Sequence, residues 1–168
     1  MCYVLTIASS LTLSEIRSML PAGIHADPLL PGALAAFRDA LPSAQTAAHL
    51  RVGACSCDLV RPRLPDQRED ERHLRGRYRA RGLPRDRIIR ELERHRRTTS
   101  LEPPPGGWRP ALAAFVAEHA RNAGPTVYRL TFEPGGTTDG PPLSLPLAAI
   151  RSDPEGWLPE GRTVVVVR

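Results

Sequence analysis

The chain has 168 residues, with 23 arginines and no lysine against 18 acids, for a formal net charge of +5. Three cysteines, two of them one residue apart, do not make a disulfide framework, and no stretch approaches the about 18 apolar residues that a spanning helix needs. This composition argues against a secreted disulfide scaffold or a membrane-spanning protein and predicts a single cytoplasmic domain over 1–168, long enough to bury a real core.

Cys2–Ala8 alternates Tyr3, Leu5 and Ile7 against Val4, Thr6 and Ala8; both faces are nearly apolar, so it reads as a central strand. Thr12-Leu-Ser-Glu15 fits a capping box that starts a short helix to Leu20, where Pro21 stops it. A loop with His25, Asp27 and Pro28 follows. Pro31 opens a helix to Leu41 with Leu34, Phe37 and Leu41 as its buried stripe. His49–Cys57 is the second strand. Asp66-Gln-Arg-Glu69, a second capping box, opens a basic helix ending near Gly82; Leu83-Pro84 turns the chain into another basic helix, Arg85–Arg97. After a Pro/Gly linker, Pro110–Ala123 is a helix with Leu112, Phe115, Val116 and His119 as its stripe. Thr126–Glu133 is a strand and Pro134–Pro142 a loop. Leu143–Arg151 is a strand that Pro146 confines to an edge, and Thr163–Arg168 is the closing strand. The sum is an α/β or α+β fold. It has an about five-stranded mixed sheet with helices packed on it, and an Arg-rich helical hairpin over 61–100 inserted in or flanking that layer.

Residues Arg61 to Arg97 hold fourteen of the arginines and seven of the acids, so the positive excess is confined to the helical pair. Arginine without lysine is what a GC-rich genome imposes; the informative feature is position. Arg68, Arg72, Arg75 and Arg79 recur at i, i+4, i+7 and i+11, which at about 100° per residue is one stripe about 60° wide. Such a stripe suits an anionic macromolecule, either an acidic protein or nucleic-acid phosphate, and a helix-turn-helix is also permitted. The competing expectation is a solvated hairpin neutralised from within by Glu71–Arg75, Asp86–Arg90, Arg87–Glu91 and Glu93–Arg97, each pair contributing about 0.2–0.5 kcal/mol.

The alternative function centres on Cys55 and Cys57. If the second strand continues, both thiols share one face with parallel side chains, which disfavours a disulfide between them. Cys55, Cys57, His73 and Asp70 (with Glu69 beside it) are donors that zinc accepts, so a metal- or thiol-dependent centre is possible there. The spacing matches no finger or ribbon, and two small residues filling a sheet face is the simpler expectation. Asp58 would raise a neighbouring thiol pKa and so oppose an activated thiolate. Cys2, N-terminal once Met1 is removed, is similar in that one respect to the N-terminal-nucleophile amidohydrolases, in which the free amine is the base for its own side chain. The likeness covers two residues, and the lone asparagine, Asn122, falls at a helix end.

Among the remaining candidates, Ser9 and Ser10 after the first strand leave a Ser-His-Asp set open, although no G-x-S-x-G elbow is present. Pro134–Gly140 lacks the lysine and following helix of a phosphate loop and reads as a hairpin loop. His119 reads as a satisfied core histidine. Trp108 and Trp157 read as anchors for loops.

Overall fold

Strand alternation sets the architecture. The computed structural model describes residues 3–53, 56–60, 67–98, 104, 107–132, 140–154 and 156–168; the side chains of 31, 67–70 and 95–98 lie outside that description. Six strands form one sheet: β1 (Val4–Ser9), β2 (Ile24–Pro28), β3 (Thr46–Val52), β4 (Thr126–Thr131), β5 (Leu143–Pro146) and β6 (Thr163–Val167). Their spatial order is β2-β3-β1-β4-β6-β5, antiparallel throughout except for the parallel β5–β6 pair. The helices are α1 (Leu13–Met19), α2 (Cys57–Val60), α3 (Gln67–Ala80), α4 (Arg85–Thr98), α5 (Trp108–Ala123) and α6 (Leu147–Ser152), with a 3-10 helix at Pro31–Phe37.

Leu5, Ile7, Leu50, Tyr128 and Val164 point to one face, against Ile16 of α1, Leu112, Phe115 and Val116 of α5 and Ile150 of α6. Ala8, Ala47 and Val127 point to the other, against Phe37 and Leu41. Burial on both faces is what the two apolar registers of β1 require of a central strand. The mixed sheet with helices packed on it is therefore present, with six strands in place of five. Among the described residues no helix is long and apolar enough to cross a membrane.

Local signals account for several boundaries. The Thr12 hydroxyl accepts from the Glu15 N–H (3.3 Å) and the Glu15 carboxylate accepts from the Thr12 N–H (2.8 Å), so the first capping box forms. The carboxylate also accepts from the Thr12 hydroxyl (2.6 Å), and that bond, with the one from the Thr12 N–H, holds the Glu15 carboxyl below its usual range. At the hairpin, Gly82 (φ 71) ends α3 with its N–H on the Arg79 carbonyl and the Leu83 N–H on the Tyr78 carbonyl, the Schellman pattern.

Four expectations are corrected. The His25–Asp27 loop is strand β2, whose Ile24 and Ala26 turn inward while His25 stays exposed; with a single neighbour, an edge strand tolerates Pro28. The second strand is Thr46–Val52, because Gly53 (φ 60) ends it, and Cys57 opens a helix instead. The segment after Pro31 is a 3-10 helix that stops at Phe37, although Phe37 and Leu41 are buried as expected. Leu143–Arg151 is an edge strand only to Pro146, after which α6 begins.

Gly23 adopts φ +88, and a Cβ there would lie 2.7 Å from Cη2 of Trp108, whose ring is buried in the main core. Gly23→Ala should therefore destabilise the fold by about 1–3 kcal/mol. A lowered urea midpoint with an unchanged slope checks this, and an unshifted midpoint would contradict the packing.

Candidate functional site

The hairpin α3–α4 closes on a small core of Leu74 and Tyr78 from α3 and Ile88 and Leu92 from α4, with Leu83 of the turn packed on it. At about 100° per residue, Arg77 and Arg81 lie about 60° to one side of the direction set by Leu74 and Tyr78, and Arg72, Arg75 and Arg79 about 100° to the other. The first pair faces the sheet. The guanidinium carbons of Arg77 and Arg81 sit 3.8 Å and 4.5 Å from the Phe132 ring centroid. Phe132 in turn meets Tyr3 edge-on at 5.1 Å, and the Tyr3 hydroxyl donates to Glu160 at 2.8 Å. Partial burial, followed by the Glu160 carboxylate, raises the Tyr3 phenol above its usual range.

Arg72, Arg75 and Arg79 are exposed on the broad side of the hairpin that faces away from Phe132. Among the described residues none of the three has an acidic partner. Arg68 continues the helical register of the stripe, but its side chain lies outside the described residues. Among the described residues the pairs formed are not those expected: Arg75 is not paired with Glu71, nor Asp86 with Arg90, and Glu91 pairs with Arg94 (2.8 Å) in place of Arg87. The Glu93–Arg97 pair falls on a side chain outside the described residues. Exposed pairs contribute little in any case. Arg72 and Arg77, with His73, Gly76 and Ala80, line an open groove along α3.

The cysteine site is not assembled by the described residues. Cys57 opens α2 and is buried, whereas His73 is exposed on α3 between two arginines of the groove, a poor setting for a cation. Among the described residues no three His, Cys, Asp or Glu side chains converge as metal ligands. Cys55 and the Asp70 and Glu69 side chains lie outside the described residues, as do Cys2 and 133–139 of the proposed hairpin loop. Asn122 closes α5, with its amide donating to the Glu118 carbonyl at 3.0 Å.

Two serine–histidine pairs do form; Ser9 is a candidate in the sequence, but neither histidine partner is legible there because each pair joins residues from separate elements. Ser56 Oγ lies 2.8 Å from His49 Nε2, and Asp27 is the cross-strand partner of His49. The Ser56 hydroxyl, however, donates to the Leu50 carbonyl (2.6 Å) and accepts from the Leu5 N–H (2.9 Å), bridging partner residues of β1 and β3. Its one proton is thus committed, so His49 Nε2 must carry the proton between them, the reverse of a general base. Asp27 is held by Arg51, whose hydrogen bond keeps the carboxyl below its usual range. Burial lowers the His49 pKa against the opposing pull of Asp27.

The second pair is deeper. His119 lies 2.8 Å from Ser9 Oγ through Nε2 and 2.7 Å from the Tyr128 hydroxyl through Nδ1, and all three residues are fully buried. Burial drives His119 down to about 4 and raises Tyr128 well above the usual phenol range. Because all three are buried and the imidazole is backed by the Tyr128 hydroxyl and not by a carboxylate of the described residues, this is a core polar bridge, as expected for His119. Ser10 ties the end of β1 to the end of α5, donating to the Ala123 carbonyl at 2.9 Å. Trp108 and Trp157 are buried against the core, and Trp157 meets Tyr128 edge-on at 5.4 Å.

A scan of protein-family models finds no match to this chain, and neither do searches of curated proteins and of solved structures.

Two predictions follow from these contacts. An unfolded histidine titrates near 6.5 while folded His119 titrates at about 4, so its contribution is complete above pH 6.5 and is lost as pH falls towards 4. At about 1.4 kcal/mol per pKa unit the loss is roughly 3 kcal/mol. His119→Gln removes that titration, so its stability profile should be flatter than wild type across the same interval; parallel profiles would contradict the assignment. Separately, Phe132→Leu removes the aromatic face under Arg77 and Arg81. Amide hydrogen exchange in α3 should then quicken by about five- to tenfold while β1 and β4 amides are unchanged.

Proposed function

We propose that this protein is a binding module that contacts an anionic macromolecule through the exposed face of its arginine hairpin. Arg72, Arg75 and Arg79 are the binding residues, with Arg68 in line. The observation that carries this reading is that three arginines share one stripe, face away from the sheet and have no acidic partner among the described residues. Exposed cations usually find carboxylates within the molecule or are spread over its surface; here they are aligned and left open. Guanidinium is suited to the task because its planar donors meet carboxylate or phosphate oxygens in pairs, which a lysine ammonium cannot do. The stacking of Arg77 and Arg81 on Phe132 supports it further by holding α3 in one orientation, so the stripe is presented on a positioned helix.

The test is charge reversal. Arg72→Glu with Arg75→Glu should weaken binding to polyglutamate and to a short DNA duplex, measured by fluorescence anisotropy, with the circular dichroism spectrum unchanged. On the duplex, the slope of log K against log salt should become shallower by about 0.9 for each phosphate contact removed. Binding that is indifferent to salt or to the reversal would sink the proposal.

A further inference from the structure

The face that carries the stripe is not purely cationic. Ile88 and Leu92 direct α4 at α3; Ile89 lies about 80° round α4 from that direction and Glu91 about 80° the other way. In an antiparallel pair of right-handed helices, equal senses of rotation from the shared contact open on the same side. Ile89 therefore lies on the side of Arg72, Arg75 and Arg79, and Glu91 on the side of Arg77, Arg81 and the sheet. The exposures agree: Glu91 is half-buried, whereas Ile89 is 43% exposed, one of two large apolar side chains left open among the described residues. Counted from Leu83 at the turn, Ile89 lies as many residues along α4 as Arg77 lies back along α3, which sets it level with the middle of the stripe, between Arg75 and Arg79. Arg85, at the turn end, and the acids Asp86 and Glu93 border the same face, all exposed.

We infer that the anionic partner is an acidic amphipathic protein helix, which aligns carboxylates with Arg72, Arg75 and Arg79 and seats an apolar side chain on Ile89. This rests on the reading of the stripe as an anion-binding face and names its partner. Along α3, at about 1.5 Å rise per residue, the three arginines are spaced about 4.5 Å and about 6 Å. Glutamates at i, i+4 and i+7 of an antiparallel helix reproduce those spacings, because they follow the same helical repeat. A phosphate backbone offers nothing apolar to cover Ile89 and is repelled by Glu93. An amphipathic helix satisfies both, since its apolar stripe covers the isoleucine and a basic residue beyond it can meet the glutamate. Among the described residues this face also carries no aromatic platform for unpaired bases, as Tyr78 is buried within the hairpin.

The probes are a synthetic helical peptide with glutamates at i, i+4 and i+7 flanking leucines, the same peptide with its leucines replaced by serine, and a short DNA duplex. Each is titrated by anisotropy at physiological salt into the wild-type chain, Ile89→Ser, and the Arg72→Glu, Arg75→Glu variant. The leucine peptide should bind tightest, and Ile89→Ser should weaken it by about tenfold, the effect of uncovering part of one isoleucine, without weakening the duplex. Circular dichroism of Ile89→Ser reports that this surface change leaves the fold intact. Equal binding of the two peptides, an Ile89→Ser variant that binds as wild type, or a duplex that binds better than the leucine peptide overturns the amphipathic-helix partner. If the duplex alone responds to the arginine reversals, the anion-binding reading survives; if no probe responds to them, that reading falls as well.

Discussion

Helix α3 can bury only two large apolar side chains, Leu74 and Tyr78, and that shortage governs everything else about the hairpin. A four-residue hydrophobic contact with α4 removes too little surface from water to fix a helical pair by itself. The remaining side chains must stay in solvent or find contacts of another kind. Arg77 and Arg81 do the second, stacking on Phe132 where the ring's negative face accepts a guanidinium without full desolvation. Arg72, Arg75 and Arg79 do the first, because once one side of α3 is turned to α4 and another to the sheet, only solvent is left. The exposed cationic stripe is thus a geometric consequence of how the helix is anchored.

The sheet is organised differently, by burial on both faces. Ser9, Ser56 and His119 in its interior are tied into specific partners, and this is where resemblance to catalytic chemistry misleads. Ser56 beside His49 and Ser9 beside His119 have the separations expected of a nucleophile and its base. What decides their role is the direction of the proton and the access of solvent. Ser56 gives its proton to the Leu50 carbonyl and receives one from the Leu5 N–H, so the hydroxyl closes a gap in the ladder between β1 and β3. His119 is held neutral between two hydroxyls, fully buried with both of them. Buried polar groups satisfied in this way add specificity to packing, since an alternative arrangement would leave each one unpaired.

Legibility in the sequence followed the range of the physics. The capping box at Thr12 and Glu15, the glycine turn at Gly82 and the helix over Leu112 to His119 depend on residues within one or two turns of each other, and all were readable. So was the alignment of Arg68, Arg72, Arg75 and Arg79, which needs only the helical repeat. Strand β2 was not readable, because five residues ending on a proline become a strand only when β3 offers a hydrogen-bonding edge. The end of β3 was misplaced because Gly53 can continue a strand or leave it, and the contacts of Ser56 make it leave. The i, i+4 ion pairs were overestimated for a related reason: an exposed pair contributes so little that each arginine is free to adopt another rotamer.

The sequence by itself determined that this chain has a mixed sheet with a two-sided central strand, helices packed on it and its positive excess confined to one helical pair. Those properties arise from alternation, periodicity and composition, which are written locally. Only the tertiary structure decided which side of that pair faces solvent. The choice belongs to Phe132, more than fifty residues beyond Arg77 in the chain, which draws Arg77 and Arg81 to the sheet. Rotation of α3 about its axis is a long-range property, and it leaves Arg72, Arg75, Arg79 and Ile89 on one open face.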